Sequence, residues 1–198
     1  MSVDRRDLRR RLFHLCVEQG GYFTAAQARS IGYSYQAQAH HVAANNWYRI
    51  DRGIFRLVDW IPEVHDDLIR WSLWSKDRAV ISHETALAVH EIGEFESPRV
   101  QLTVPPGFTM TDRSVRVHFA DLLDSDIATR TGFRVTTVER SLIDMAAKGA
   151  DQDQLARAID EGRRRGRLTL KKLRSASEAV DAKAALYIER AIQLVDAS

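Results

Sequence analysis

An α+β fold in two parts is predicted by three features of this 198-residue chain. Residues 21–58 hold two short helical stretches parted at Gly32, then two strand-like runs hinged at Arg52-Gly53. Residues 100–104, 115–119 and 133–136 alternate apolar and polar side chains, as half-buried strands do. From Val138 onward the pattern is helical to the end. Helix, glycine-bearing turn, helix and basic hairpin is the order of a winged helix-turn-helix, a device that reads DNA. The predicted architecture is an N-terminal winged helix-turn-helix over residues 1–60. A small mixed α/β domain with a helical C-terminal tail follows over residues 61–198.

In the first part, Leu8, Leu12, Leu15 and Cys16 recur at helical spacing and predict a helix over 3–19. Gly20-Gly21 ends it, and Tyr22-Phe23 reads as a short strand leading into a Thr24 cap. A second helix spans about Ala25–Ser30; Gly32 supplies a left-handed turn position and Ser34 caps the third helix. On that helix the periodicity groups Tyr35, Ala39, Val42 and Asn46 on the face expected to pack inward. Gln36, Ala37, His40, His41 and Ala44 fall on the opposite face, expected toward a major groove. Gln pairs bidentately with adenine, small Ala touches a thymine methyl, and His donates to guanine or phosphate. The plainer alternative is that Gln36, His40 and His41 are only solvated. The hairpin pairs 47–51 with 54–58, which turns Ile50, Phe55 and Leu57 inward and leaves Arg49, Arg52 and Arg56 for phosphates or a minor groove. Ser34 joins the phosphate-contacting set, and Tyr35 bridges both roles.

Beyond Pro62 the pattern gives an amphipathic helix at Glu63–Ser75, a strand at Ala79–Ser82 and a helix at His83–Ile92. Pro105-Pro106-Gly107 and Gly132 punctuate the strands, and breaks near Gly149, Gly166 and Ser177 divide the helical tail. The terminal helix, 180–195, carries a Leu186, Ile188, Ile192 and Val195 stripe expected to pack within the chain.

Composition, at 44% apolar and 28% charged residues, excludes a disordered chain. One cysteine, Cys16, excludes an intramolecular disulfide and any cysteine-rich metal knuckle. No apolar run approaches the ~20 residues of a membrane-spanning helix, and no signal-peptide core is present, so a soluble cytoplasmic protein is expected. Net charge is +2 but uneven: nine arginines face five acids in residues 1–60, against 20 basic and 22 acidic residues thereafter.

Chemistry-bearing clusters are few. Thr137 can cap a helix that starts with Glu139 and Arg140, and Arg140 and Asp144, four apart, suit a surface ion pair worth ~0.3–0.5 kcal/mol. Asp124-Ser125-Asp126 has the paired acids of a metal-dependent nucleotidyl site but lacks its Gly-Ser turn and reads as a helical turn. Asp181-Ala182-Lys183 matches a nuclease acid-x-lysine step only formally, because its surroundings are helical. His83, Glu84 and His90 lack zinc-site spacing, with His83 placed at a helix start. No metal, no cofactor and no catalytic residue is therefore expected. The run Arg163, Arg164, Arg165, Arg167, Lys171, Lys172 and Arg174 reads as a solvated helix end, a second DNA contact or a docking face for an acidic partner.

Several of these segments together resemble the AbiEi-type antitoxin family, transcriptional regulators of type IV (abortive infection) toxin–antitoxin systems. They are the Arg52-Gly-Ile-Phe-Arg-Leu57 hairpin, Ala79-Val-Ile-Ser-His-Glu-Thr-Ala-Leu-Ala-Val-His90, Val100-Gln-Leu-Thr-Val-Pro-Pro106 with Val117-His118, and Thr136-Thr-Val-Glu-Arg-Ser-Leu-Ile-Asp144. The last departs from the family pattern in carrying Ser141 for Thr. The resemblance covers about residues 5–175 and implies a repressor of its own operon that binds double-stranded operator repeats. It also implies a cognate nucleotidyltransferase-like toxin as functional partner and makes residues 61–198 the antitoxin domain. Arg140, Asp144, Arg163, Arg164, Arg165 and Arg167 are the candidate partner-binding residues. Two alternatives stand beside it: an antitoxin acting mainly by direct toxin binding with a structural winged helix, and a DNA reader fused to a degenerate nuclease or nucleotidyl-handling domain.

Overall fold

In the computed structural model, which describes residues 4–196, the chain forms two compact units. One comprises the chain up to Arg78 together with Arg130–Phe133; the other comprises Ala79–Thr129 and the chain from Arg134. The fold is α+β.

The first unit runs α1 (Arg5–Glu18), β1 (Tyr22–Thr24), α2 (Ala25–Ile31), α3 (Tyr35–Ala43), β2 (Trp47–Asp51) and β3 (Ile54–Leu57). The three strands form an antiparallel sheet in the order β1-β3-β2. Local chemistry explains each boundary. The Asp4 carboxylate accepts from Arg6 N at 2.9 Å and starts α1; position 3, where the helix was expected to begin, lies outside the described residues. Thr24 and Gln27 form a reciprocal capping box at the start of α2, with bonds of 3.1 and 2.7 Å. Gly32 ends α2 at φ +128°, and Ser34 Oγ accepts from Ala37 N at 3.1 Å to open α3.

Trp47 centres this unit's core. Phe23 and Tyr33 meet it edge-on at 4.8 and 5.1 Å, Phe55 lies at 5.8 Å, and Leu12, Cys16 and Ala28 close around them. Burial pushes the Cys16 thiol up to about 12, so it serves as a small apolar filler and not as a nucleophile. The helix expected at Glu63–Ser75 shrinks to a 3₁₀ turn, Asp66–Leu68, followed by α4 (Ile69–Trp74). His65 sits in the left-handed region at φ 71°, which a continuous helix does not allow.

The second unit contains β4 (Val80–Ile81), α5 (His83–Val89), β5 (Val100–Val104), β6 (Val115–Phe119), β7 (Ile127–Arg130) and β8 (Phe133–Thr136), except for the end residues Arg130 and Phe133. The helices α6 (Val138–Lys148), α7 (Gln152–Arg164), α8 (Leu170–Val180) and α9 (Ala182–Asp196) follow. Its sheet has the order β6-β5-β4-β8-β7 and is mixed: β4 runs antiparallel to β5 and parallel to β8, while β5 and β6 are parallel. Strands β5, β6 and β8 occupy the residues that alternation marked; β7 was not anticipated. The helical tail breaks at Asp181 and not at Ser177, which is buried inside α8. The Asp181 carboxylate accepts from Ala184 N at 2.6 Å and so starts α9, which gives the Asp-x-Lys match a capping role. Within α9, Ala184, Ile188, Ala191 and Ile192 are buried against Leu142, Leu155, Ile159 and Leu173, whereas Leu186 is exposed. Truncating a fully buried residue such as Ile188 to Ala should cost ~2–5 kcal/mol. No helix among the described residues is long and apolar enough to cross a membrane.

Candidate functional site

In the first unit the chemistry lies on α3 and the β2–β3 hairpin. The inward face of α3 is Ala37, Gln38, His41 and Val42, one residue-step away from the face the periodicity suggested. Tyr35, 62% exposed, and Ala39 point outward beside Gln36, His40 and Ala43. Gln38 sets this phase. Its buried amide donates to Ala25 O and Tyr33 O, both at 3.1 Å, and ties α3 to the start of α2 and to the turn between the helices. His41 turns toward the core, stacks on Trp47 at 4.6 Å and meets Tyr33 edge-on at 5.3 Å. Burial, with the neighbouring His40, lowers its pKa and keeps it neutral. Outside, Tyr35 is steadied by Arg29, whose guanidinium lies 5.1 Å over its ring and donates to its hydroxyl at 3.3 Å.

The hairpin turns at Arg52-Gly53, with Gly53 at φ +73°, and a bulge lies between Arg49 and Asp51. Arg49 and Arg52 are exposed. Arg56 is not: it is half-buried with its guanidinium 5.7 Å over Tyr22 and 5.8 Å over Tyr48. Ile54 joins Phe55 in the core, while Ile50 and Leu57 are half-buried. The exposed set is therefore Ser34, Tyr35, Gln36, His40, Arg49 and Arg52, while His41 packs inward on Trp47 and Arg56 on Tyr22 and Tyr48.

The second unit holds a polar cavity that reading along the chain did not bring together. The β5–β6 register sets His118 opposite Thr103, and β4 delivers Ser82 and His83 to the start of α5. His83 and His118 stack at 3.7 Å and 18°. His83 Nδ1 is 2.9 Å from Ser82 Oγ, and His118 Nε2 is 2.7 Å from Gln101 Oε1. Gln101 Nε2 already donates to Ser97 Oγ and Arg99 O, so its oxygen accepts and His118 carries its proton on Nε2. Burial, reinforced by His118, Lys148, Arg140 and Arg116, pushes His83 down to about 3. Burial, Lys148 and Arg116 lower His118 as well, against an opposing pull from Glu84. Both rings are neutral in a cationic field.

Helix α6 supplies Arg140, Asp144 and Lys148 on one face. Arg140 Nε donates to Asp144 Oδ1 at 2.8 Å and Nη1 to Asp126 Oδ2 at 3.0 Å, and Lys148 pairs with Glu84 of α5. The pair Arg140–Asp144 was expected on the surface; the two residues are only 7% and 8% exposed. Breaking such a buried pair costs ~3–5 kcal/mol, far more than its surface counterpart. Asp126, from the acidic triplet, is the pair's third member; its triplet forms the 3₁₀ turn the sequence suggested. His83, His118, Arg140, Asp144 and Lys148, with Thr103, Arg116 and Phe119, line a cavity of about 540 Å³. Thr103 Oγ1 and Asp144 Oδ2 are buried there without a hydrogen-bond partner. Burial pushes Asp144 up to about 6 despite Arg140. His83 itself adopts φ 52°, a backbone state uncommon outside glycine.

Five of the seven cations of the basic run are paired, with four acids. Arg163 and Arg164 pair with Asp160, Arg165 with Glu161, Lys172 with buried Glu139, and Arg174 with Glu189, all at 2.7–3.0 Å. Counting acids only inside residues 163–174 missed these partners, which lie on the preceding turn or on other helices. Arg167 is exposed beside them. His90 is buried and its Nε2 donates to Thr136 O at 2.7 Å, a packing role apart from His83. Among the described residues no three His, Cys, Asp or Glu side chains are grouped to hold a metal.

No family model matches this sequence, and no curated protein is similar to it by sequence. The fold is similar to that of the RV2827C protein from Mycobacterium tuberculosis in its crystal structure, with a TM-score of 0.61. That match spans 96% of this chain and 76% of the other at 14% identity, a likeness of fold.

Proposed function

We propose that the first unit is a winged helix-turn-helix and that the protein is a DNA-binding antitoxin. It represses its own toxin–antitoxin operon and counteracts a nucleotidyltransferase-like toxin. The observation that carries the DNA-reading half is the outward face of α3: Tyr35, Gln36, Ala39, His40 and Ala43 stand exposed, in the same unit as a hairpin that exposes Arg49 and Arg52. Gln38 and His41 lock the helix behind them. In this reading Gln36 and His40 contact base edges and Ala39 and Ala43 admit a thymine methyl. Ser34, at the positive N-terminus of α3, and the exposed Arg49 and Arg52 hold phosphates. Arg56 and His41 act by holding the surface in shape. The antitoxin half rests on the sequence resemblance. Arg140 and Asp144, being buried, are assigned no contact with the toxin, and the toxin-facing surface is left to the exposed part of the second unit.

Footprinting on the DNA upstream of the gene tests this reading. Protection of paired repeats is expected, because one reader of this size covers a short half-site. Gln36→Ala and His40→Ala should each cost ~1–3 kcal/mol of sequence discrimination while non-specific binding persists. Absence of protection at low salt would reject the DNA-reading role. Loss of toxin counteraction in those variants, with their fold intact, would show that DNA binding and neutralisation are not separate functions.

A further inference from the structure

We propose that the cavity of the second unit binds a nucleotide, its phosphate held by Arg116, Arg140 and Lys148 and its base stacked on Phe119. This inference is independent of the DNA-reading role of the first unit. Its volume of about 540 Å³ lies within the ~300–1,000 Å³ of small-molecule sites. Three cations line it, against one carboxylate, Asp144. Arg140 and Lys148 already carry partners in Asp144, Asp126 and Glu84, yet each keeps donors beyond those bonds. Arg116, exposed on β6, is not part of those ion pairs. The field on His83 and His118 is accordingly cationic, which favours an anion in the cavity.

Two unmet polar atoms describe the rest of the ligand. Thr103, 2% exposed, lines the cavity with a hydroxyl that has no partner, and Asp144 Oδ2 is a buried acceptor in want of a donor. A fully deprotonated phosphoryl group supplies acceptors but no donor for Asp144; a ribose hydroxyl supplies one. Phe119, the last residue of β6, also lines the cavity yet is 60% exposed, which offers a flat apolar surface at the cavity's edge. Phosphate, sugar hydroxyl and base thus each have a counterpart. The left-handed backbone of His83 fits a residue held for a ligand, since such strain gathers at binding sites.

The test is imidazole-resolved NMR on the full chain, titrated with AMP, GMP, CMP, UMP, adenosine and inorganic phosphate. At least one nucleoside monophosphate should shift the His83 and His118 signals at sub-millimolar concentration. Adenosine and inorganic phosphate should bind at least ~10-fold more weakly than that nucleotide. Arg116→Ala, an exposed change that leaves the fold intact, should weaken every phosphate-bearing ligand by ~10-fold or more. Phe119→Ala should weaken the nucleotide by ~5-fold or more and leave inorganic phosphate unaffected. No response at His83 and His118 to millimolar nucleotide overturns the proposal. Equal binding of inorganic phosphate and nucleotide, indifferent to Phe119→Ala, reduces the cavity to an anion site and overturns the nucleotide assignment. Shifts confined to His40 and His41 and abolished by Arg52→Ala would place the nucleotide on the first unit, which overturns it too.

Discussion

Gln38 shows how one buried polar side chain can fix a functional surface. Its two hydrogen bonds hold the phase of α3, so Gln38→Ala removes both and opens a gap. The expected cost is ~2 kcal/mol, read as a lower urea midpoint at unchanged slope. Titration adds a second residue-level test, with opposite signs at two positions. Asp144 releases its proton near 6 when folded and near its ordinary 3.8 when unfolded. Its stabilising contribution is therefore complete below 3.8 and is lost as pH rises through 6. His83, about 3 when folded against an ordinary 6.5, contributes fully above 6.5 and loses stability as pH falls toward 3. Unfolding curves between pH 4 and 7 should show wild type gaining on Asp144→Asn as pH falls, and losing ground to His83→Gln over the same window. Parallel curves would mean that neither group changes protonation on folding. Such pairing was invisible in the sequence because 35 positions separate the two imidazoles and only the β4–β5–β6 order brings them into contact.

Elements were legible where local chemistry decides them. Thr24 and Ser34 cap the helices they were expected to cap, and strands form at 100–104, 115–119 and 133–136 as expected, although β5 and β8 are buried on both faces and only β6 is half-exposed. The phase of α3 was misread for a physical reason. Alanines at 37, 39, 43 and 44 carry little phase information, and the one strong apolar residue at its start, Tyr35, is held outside by Arg29. Strand β7 escaped notice because Ile127-Ala-Thr-Arg130 has one large apolar residue and no clear alternation. The Gly32 turn is the element most open to test. A Cβ there would meet Leu8 Cδ2 at 2.8 Å, and φ +128° disfavours any side chain. Gly32→Ala should destabilise by ~1–3 kcal/mol, measured by denaturant unfolding; an unchanged midpoint would show that the turn tolerates an ordinary residue.

Across the whole molecule, charge distinguishes the two ends of the chain more than net charge does. The surplus of arginine falls in residues 1–60, and the basic stretch near the C-terminus is mostly spent on Asp160, Glu161, Glu139 and Glu189. Substituting Arg163 and Arg164 together should therefore change DNA affinity little, whereas Arg49 and Arg52 should matter. The sequence carried the bulk asymmetry but not this pairing, since the acids that pair with the run lie on the preceding turn or on other helices. The direct measurement is the affinity for upstream operator DNA across a salt series, for wild type and for the Arg49→Ala/Arg52→Ala protein. A steep fall of log affinity with log salt is expected, its slope reduced by about 2 in the double variant as two phosphate contacts are lost. The same affinity and the same slope in both proteins would contradict the assignment of the hairpin and α3 as a DNA-reading surface.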